Sequence, residues 1–144
     1  MLVKQISIFL ENKHGRLAKV TRILGDNNIN IRALSIADTT DFGILRLIVN
    51  QPEKAKEILD ENGFAASINE VIAIEAEDQP GGLAKALDIL DSKGVSIEYM
   101  YAFVGNTASK CAMVIIRVEN PEKAIQVLND EDILISSACD IYRA

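Results

Sequence analysis

The sequence has 144 residues, 49% hydrophobic and 25% charged, a globular balance that excludes disordered and membrane-embedded classes. A formal net charge of −6 without any Lys/Arg cluster argues against nucleic acid as a partner. No apolar run approaches the roughly 20 residues that span a bilayer, and the N-terminal stretch is too short and polar for a secretory signal, so the expected setting is cytoplasmic, with no membrane partner.

In chain order, Ile6, Ile8 and Leu10 alternate with other residues, the pattern of a half-buried strand. A Gly-containing loop follows, and then Leu17, Val20 and Leu24 recur at helical spacing. Asn28 stands where a left-handed helix cap is wanted. Residues 29–36 read as a second strand, 41–43 as a hairpin turn and 44–49 as a third strand. Gln51 and Pro52 open a second helix ending near Gly63, with proline at the first helical position, where it is tolerated. Residues 65–70 close the half as a last strand and run almost without punctuation into Val71, which predicts no flexible linker.

The same grammar then repeats. Residues 11–34 align with 77–100 at an offset of 66, with identities including Gly15/Gly81, Leu17/Leu83, Lys19/Lys85 and Ile31/Ile97. Residues 49–59 align with 118–128 at an offset of 69, which places a three-residue insertion in the turn at 105–110. Ile72, Ile74 and Ala76 form the strand, Leu83, Leu87 and Leu90 the helical stripe, and Gly94 the left-handed cap. Residues 95–104 and 111–118 read as strands, Asn120 and Pro121 open a helix ending near Asp132, and 134–142 read as the last strand. The order βαββαβ, twice, predicts an α+β protein of two tandem ferredoxin-like units, residues 1–70 and 71–144, each an antiparallel sheet with its helices on one face. The third strands are apolar on both faces, interrupted only by Arg46 and Arg117, so the second face or an edge should be covered. A unit of about 70 residues makes a marginal core alone, which favours packing of the halves or a homodimer.

Several chemistries lack their residues. The two cysteines, Cys111 and Cys139, are far apart, and the only histidine is His14, so neither a zinc site nor a cofactor is implied and the thiols read as ordinary buried ones. The first loop has no thiol pair for a copper chaperone, and the strands carry aliphatics rather than the aromatics of an RNA-binding sheet. Lys13, His14 and Arg16 before a helix suggest an anion cradle, yet their equivalents Gln79, Pro80 and Gly82 carry no charge, and no nucleophile–base pair stands out. The expectation is a protein that is not an enzyme.

The loop Asp78-Gln79-Pro80-Gly81-Gly82-Leu83, followed by Val95-Ser96-Ile97, resembles the signature of the ACT domain. The first half repeats it as Asn12-Lys13-His14-Gly15-Arg16-Leu17 with Ile29-Asn30-Ile31, so the resemblance covers the chain as two tandem ACT domains. It implies a regulatory protein of amino-acid or purine metabolism, whose domains pair and bind an amino acid at the paired interface. By position, the implied ligand contacts are Asn12, Lys13, His14, Gly15, Arg16, Leu17, Asn30 and Ile31, and Asp78, Gln79, Pro80, Gly81, Gly82, Leu83, Ser96 and Ile97. An α-amino acid suits them: helix N-terminal N–H groups for a carboxylate, glycines for close approach, Asp78 for an ammonium, Asn12 and Asn30 for either end.

Each residue also has a purely structural reading. Gly15 and Gly81 serve the turn, Asp78 the adjacent helix end, Leu17 and Leu83 the core, and Asn30 and Ser96 the strand starts. His14 stands in place of the family's usual proline and Arg16 in place of a small or aliphatic residue, so the two sites are expected to be non-equivalent. A tandem without a fused catalytic domain would regulate a metabolic enzyme in trans. The alternative is an assembly subunit that binds no small ligand.

Overall fold

The computed structural model describes residues 2–38, 41–104, 111–136 and 141. The elements are β1 (Val3–Glu11), α1 (Arg16–Asp26), β2 (Ile31–Asp38), β3 (Phe42–Val49), α2 (Pro52–Glu61), β4 (Ala65–Glu77), α3 (Gly82–Ser92), β5 (Ile97–Val104), β6 (Cys111–Val118) and α4 (Pro121–Asp130). They form two compact units, one over Lys4–Asn69 and one that begins at Glu70 and includes residues 2–3. β4 contributes residues 65–69 to the first and 70–77 to the second, so the passage between units lies inside a strand.

In the first unit the strand order is β2-β3-β1-β4. β1 and β3 pair antiparallel from Ile6↔Leu47 to Glu11↔Phe42, and β2 pairs antiparallel with β3 from Ile31↔Val49 to Asp38↔Gly43. Ile6, Ile8 and Leu10 of β1 and Leu45, Leu47 and Val49 of β3 form the core with Val20, Leu24, Ala55 and Leu59 of the helices. Each Val, Leu or Ile among them contributes roughly 1.5–3 kcal/mol on burial. The second unit repeats this with Ile72, Ile74 and Ala76, Val114, Ile116 and Val118, and Ala86, Leu90, Ala124 and Leu128. The predicted α+β fold of two βαββαβ units is the observed one.

All four helices end alike. Asn28, Gly63, Gly94 and Asp132 have φ of 60°, 83°, 71° and 57°. The amides after them, Ile29, Phe64, Val95 and Ile133, donate to the carbonyls of Leu24, Leu59, Leu90 and Leu128 at 2.9–3.0 Å. This Schellman closure satisfies the last carbonyls and sets a buried leucine beside an apolar residue at every exit.

The alternating apolar residues on the other face are covered in part. Ile48 and Ile115 are fully buried, although they alternate with core residues. Phe9 is 52% exposed, its ring 4.9 Å from that of Phe42.

Three expectations change. The first helical stripes do not begin in the core: Leu17 and Leu83 are exposed, and in α3 the core face is Gly82, Ala86 and Leu90 rather than Leu83 and Leu87. The turn after β2 gives way to β3 already at Phe42. The predicted strand 134–142 is represented among the described residues by a single bridge, Ile74↔Ile135, flanked by bonds from Glu75 N–H to Leu134 C=O and from Ser136 N–H to Ala73 C=O. The turn at 105–110 and Cys139 lie outside the described residues; Cys111 is half-buried.

Candidate functional site

The β1–α1 and β4–α3 loops are each built around a left-handed glycine. Gly15 (φ 84°) and Gly81 (φ 84°) precede α1 and α3 in a conformation that costs other residues roughly 1–2 kcal/mol. Having no side chain, neither glycine caps its helix, and the first-turn amides have no side-chain acceptor from that position. Such an end favours an anion.

The two loops share a backbone bond, Lys13 N–H to Glu11 C=O at 2.7 Å in the first and Gln79 N–H to Glu77 C=O in the second, but differ in their side chains and further contacts. In the first, Asn12 N–H donates to Asp41 C=O at 2.9 Å, which ties the loop to the β2–β3 turn. Lys13 Nζ lies 2.8 Å from the Glu11 carboxylate and Arg16 3.8 Å from it. The Lys13 hydrogen bond, and then the Lys13 charge, hold the Glu11 carboxyl below the usual carboxylate range. The Arg16 guanidinium and Lys19 ammonium each lie 5.8 Å from the Phe64 ring centroid. The first loop's cations are thus engaged within the unit, while His14 is exposed.

In the second loop, Gln79 N–H donates to Glu77 C=O at 2.9 Å, Gly82 N–H donates to Gln79 C=O at 3.0 Å, and the Gln79 side chain donates to the Glu77 carboxylate. A Cβ on Gly82 would stand 2.0 Å from the Glu77 carbonyl oxygen. Only glycine fits this packing, whereas Arg16 occupies the equivalent place in the wider first loop, where its N–H reaches Lys13 C=O at 3.4 Å. Pro80 and Leu83 are exposed beside Gly81. Asp78 is exposed and makes no hydrogen bond or ion pair among the described residues. A cavity of about 190 Å³ adjoins Gly82, with Glu77, Lys85 and Cys111 in its wall.

Asn30, Ile31, Ser96 and Ile97 are elsewhere in their units. Glu11 pairs with Phe42 at one end of β3, and Ile31 pairs with Val49 at the other. Glu77 pairs with Cys111 and Ile97 with Val118 at opposite ends of β6. Across an eight-residue strand that separation is roughly 23 Å. Within a unit, the loop residues and the strand-start residues therefore do not converge. At the strand-start end Asn30 N–H donates to Asn50 Oδ1 at 3.0 Å and Asn50 N–H to Asn30 C=O at 3.2 Å. The corresponding end of the second unit holds a cavity of about 660 Å³ walled by Gly94, Val95 and Ser96 and by Asn120 and Lys123 at the start of α4.

The ACT domain pair family matches residues 1–139. The chain belongs to the ACT domain pair family. A crystallised protein of Bacteroides thetaiotaomicron is similar over 100% of this ACT pair and 98% of its own length, with 48% identity and a TM-score of 0.94. The ligand-free regulatory subunit of aspartate kinase from Thermus thermophilus has the same fold, with 22% identity and a TM-score of 0.64 over 90% of this chain and 93% of that one. The regulatory subunit from Thermus flavus is similar at 18% identity, with a TM-score of 0.62 over 88% and 90%. No curated protein matches the sequence.

One residue of this ACT pair, beside the strand-start set, is not picked out by motif or spacing. Arg32 occupies the bulge between Ile31 and Ala33, and its Nε is buried without a hydrogen-bond partner. A lone arginine at the start of an edge strand is the one signal the sequence holds for it. Among the described residues no cluster of three metal-ligating side chains occurs, and no helix is long and apolar enough to cross a membrane.

Proposed function

We propose that the chain is a non-catalytic regulatory protein that binds an amino acid at an interface between ACT domains, completed when copies of the chain pair, and so modulates a metabolic enzyme in trans. The observation that carries this reading is the two-ended distribution of the candidate residues. The β–α loops and the strand starts lie at opposite ends of each unit, so a small ligand touching both kinds of element needs a second ACT domain. Such a ligand acts as a linkage device: it favours whichever arrangement it binds more tightly, and shifts a bound enzyme only by that difference.

The second loop is the better ligand cradle. Its amides at the start of α3 suit a carboxylate, Gly81, where a Cβ would meet nothing within 4 Å, lets the backbone be approached closely, and Asp78 is free for an ammonium. The regulatory-subunit relatives of aspartate kinase support the class of role. A second reading, an assembly subunit without a small ligand, draws on the exposed apolar side chains Phe9, Leu34, Ile36 and Phe42.

Thermal unfolding against a panel of amino acids separates the two. A ligand at about 100 times its Kd adds about 2.7 kcal/mol, or about 5–10 °C in a chain of this size. A selective shift that is lost in Asp78→Asn supports sensing. A panel without effect, with a co-purifying enzyme indifferent to amino acids, favours assembly.

A further inference from the structure

We infer that Arg32 is a ligand-binding residue that recognises a second carboxylate, so that the amino acid sensed is a dicarboxylic one. This rests on the proposed sensing function and goes beyond it by naming the ligand class. Arg32 lies in the β-bulge at the start of β2, where the register shifts between Ile31 and Ala33, directly after the candidate contacts Asn30 and Ile31. Its Nε is the buried side-chain nitrogen or oxygen left without a hydrogen-bond partner among the described residues. A buried donor attached to a permanent charge costs more than a neutral one when unmet. Native structures keep such groups where something else satisfies them.

The internal repeat supplies the contrast. The second unit has the same bulge, between Ile97 and Tyr99, and at the position equivalent to Arg32 it carries Glu98. Glu98 is answered from its own sheet by Arg117, with Nε–Oε2 at 3.5 Å, and Arg117 also donates to Glu70 C=O at 2.6 Å. Lys13 and Arg16 of the first unit are likewise answered by Glu11. Although the chain holds 21 Asp and Glu against 15 Lys and Arg, the buried Nε of Arg32 has no partner among the described residues. A guanidinium presents paired N–H donors that match a carboxylate bidentately, which a lysine cannot do. In the proposed site the α-carboxylate is taken by the amides of a β–α loop, at the opposite end of a unit from Arg32. The arginine is therefore left for a second anionic group on the ligand.

The test is calorimetric titration of the full chain and of Arg32→Gln with each of the standard amino acids, L-aspartate and L-glutamate being set against their amides, L-asparagine and L-glutamine. One of the acids should bind at least tenfold more tightly than its amide, and R32Q should remove the preference. R32Q without any amino acid should also melt at the same or a higher temperature than the parent, because an unmet donor has been removed; loss of a structural arginine would lower it. If the amides or other amino acids bind equally well and R32Q changes no affinity, Arg32 is not a ligand residue while amino-acid sensing stands. If none of the standard amino acids binds at millimolar concentration, both this inference and the sensing reading fall.

Discussion

Replacing Gly82 with alanine should destabilise the protein, although alanine is the better helix former. The new Cβ would stand 2.0 Å from the Glu77 carbonyl oxygen and 2.9 Å from its carbon, both backbone atoms, against an ordinary contact of at least 3.4 Å. The loop would have to open by more than an ångström, or α3 would have to start later. Overpacking of this kind costs about 1–3 kcal/mol, offset by about 0.5–1 kcal/mol of helix propensity. The net loss of up to about 2.5 kcal/mol corresponds to a fall in midpoint of up to about 10 °C in thermal unfolding followed by circular dichroism. Gly25 is the control. It too is a helical glycine, within α1, but a Cβ there meets nothing within 4 Å. Gly25→Ala should raise the midpoint by the propensity gain alone. If Gly82→Ala behaved like Gly25→Ala, the close approach of Gly82 to Glu77, and with it the argued difference between the two loops, would be wrong.

Three further outcomes follow from the repeat and the surface charges. Asn120 caps α4 through its side chain, which accepts from Lys123 N–H at 3.2 Å, whereas Gln51 makes no such bond to α2. Asn120→Ala should therefore cost about 1 kcal/mol in urea unfolding, and Gln51→Ala should be nearly neutral. Asp132 holds the left-handed exit of α4 at φ 57°, where the other three helices use glycine or asparagine. Asp132→Gly should stabilise by about 0.5–1 kcal/mol and Gly94→Ala should destabilise by about 1–2 kcal/mol, read in the same assay. Hydrogen bonds from Lys13, Lys4 and Lys56 lower the carboxyl pKa of Glu11, Glu53 and Asp60 respectively. A lowered folded pKa gives stability that is present above the unfolded carboxylate range, about 4, and is lost as the pH falls through the folded values. The unfolding midpoint should stay level from neutral pH down to about 5 and then decline, with high salt weakening the pairs, which are exposed.

Much of this fold is legible in the amino-acid sequence because local signals and the duplication agree. Gly63 and Gly94, with Asn28 and Asp132 in the equivalent places, mark the helix exits in sequence, and all four adopt the left-handed conformation in space. Alternation at Ile6, Ile8 and Leu10 and at Ile72, Ile74 and Ala76 identifies the core faces. The helical stripes mislead at their first members: Leu17 and Leu83 have the right spacing but are exposed, and in α3 the buried face runs through Gly82, Ala86 and Leu90, about 100° round the helix from Leu83. The candidate site is harder to read. Chain order sets Asn12 to Leu17 and Asn30 to Ile31 close together, yet the intervening helix returns the chain to the far end of the sheet, so residues on its two sides separate. βαβ logic contains that fact. Arg32 is illegible in sequence because its meaning lies in what does not surround it, a property of the folded arrangement alone.

Amino-acid binding across paired ACT domains is tested most directly by amide NMR of the ¹⁵N-labelled chain, titrated with a mixture of the standard amino acids and then with the one that acts. Saturable shifts are expected at both kinds of element, a β–α loop (Gly15 to Leu17 or Gly81 to Leu83) and a strand start (Asn30 to Arg32 or Ser96 to Ile97). Spectra that do not change with any amino acid, or shifts confined to residues outside these segments, would contradict it.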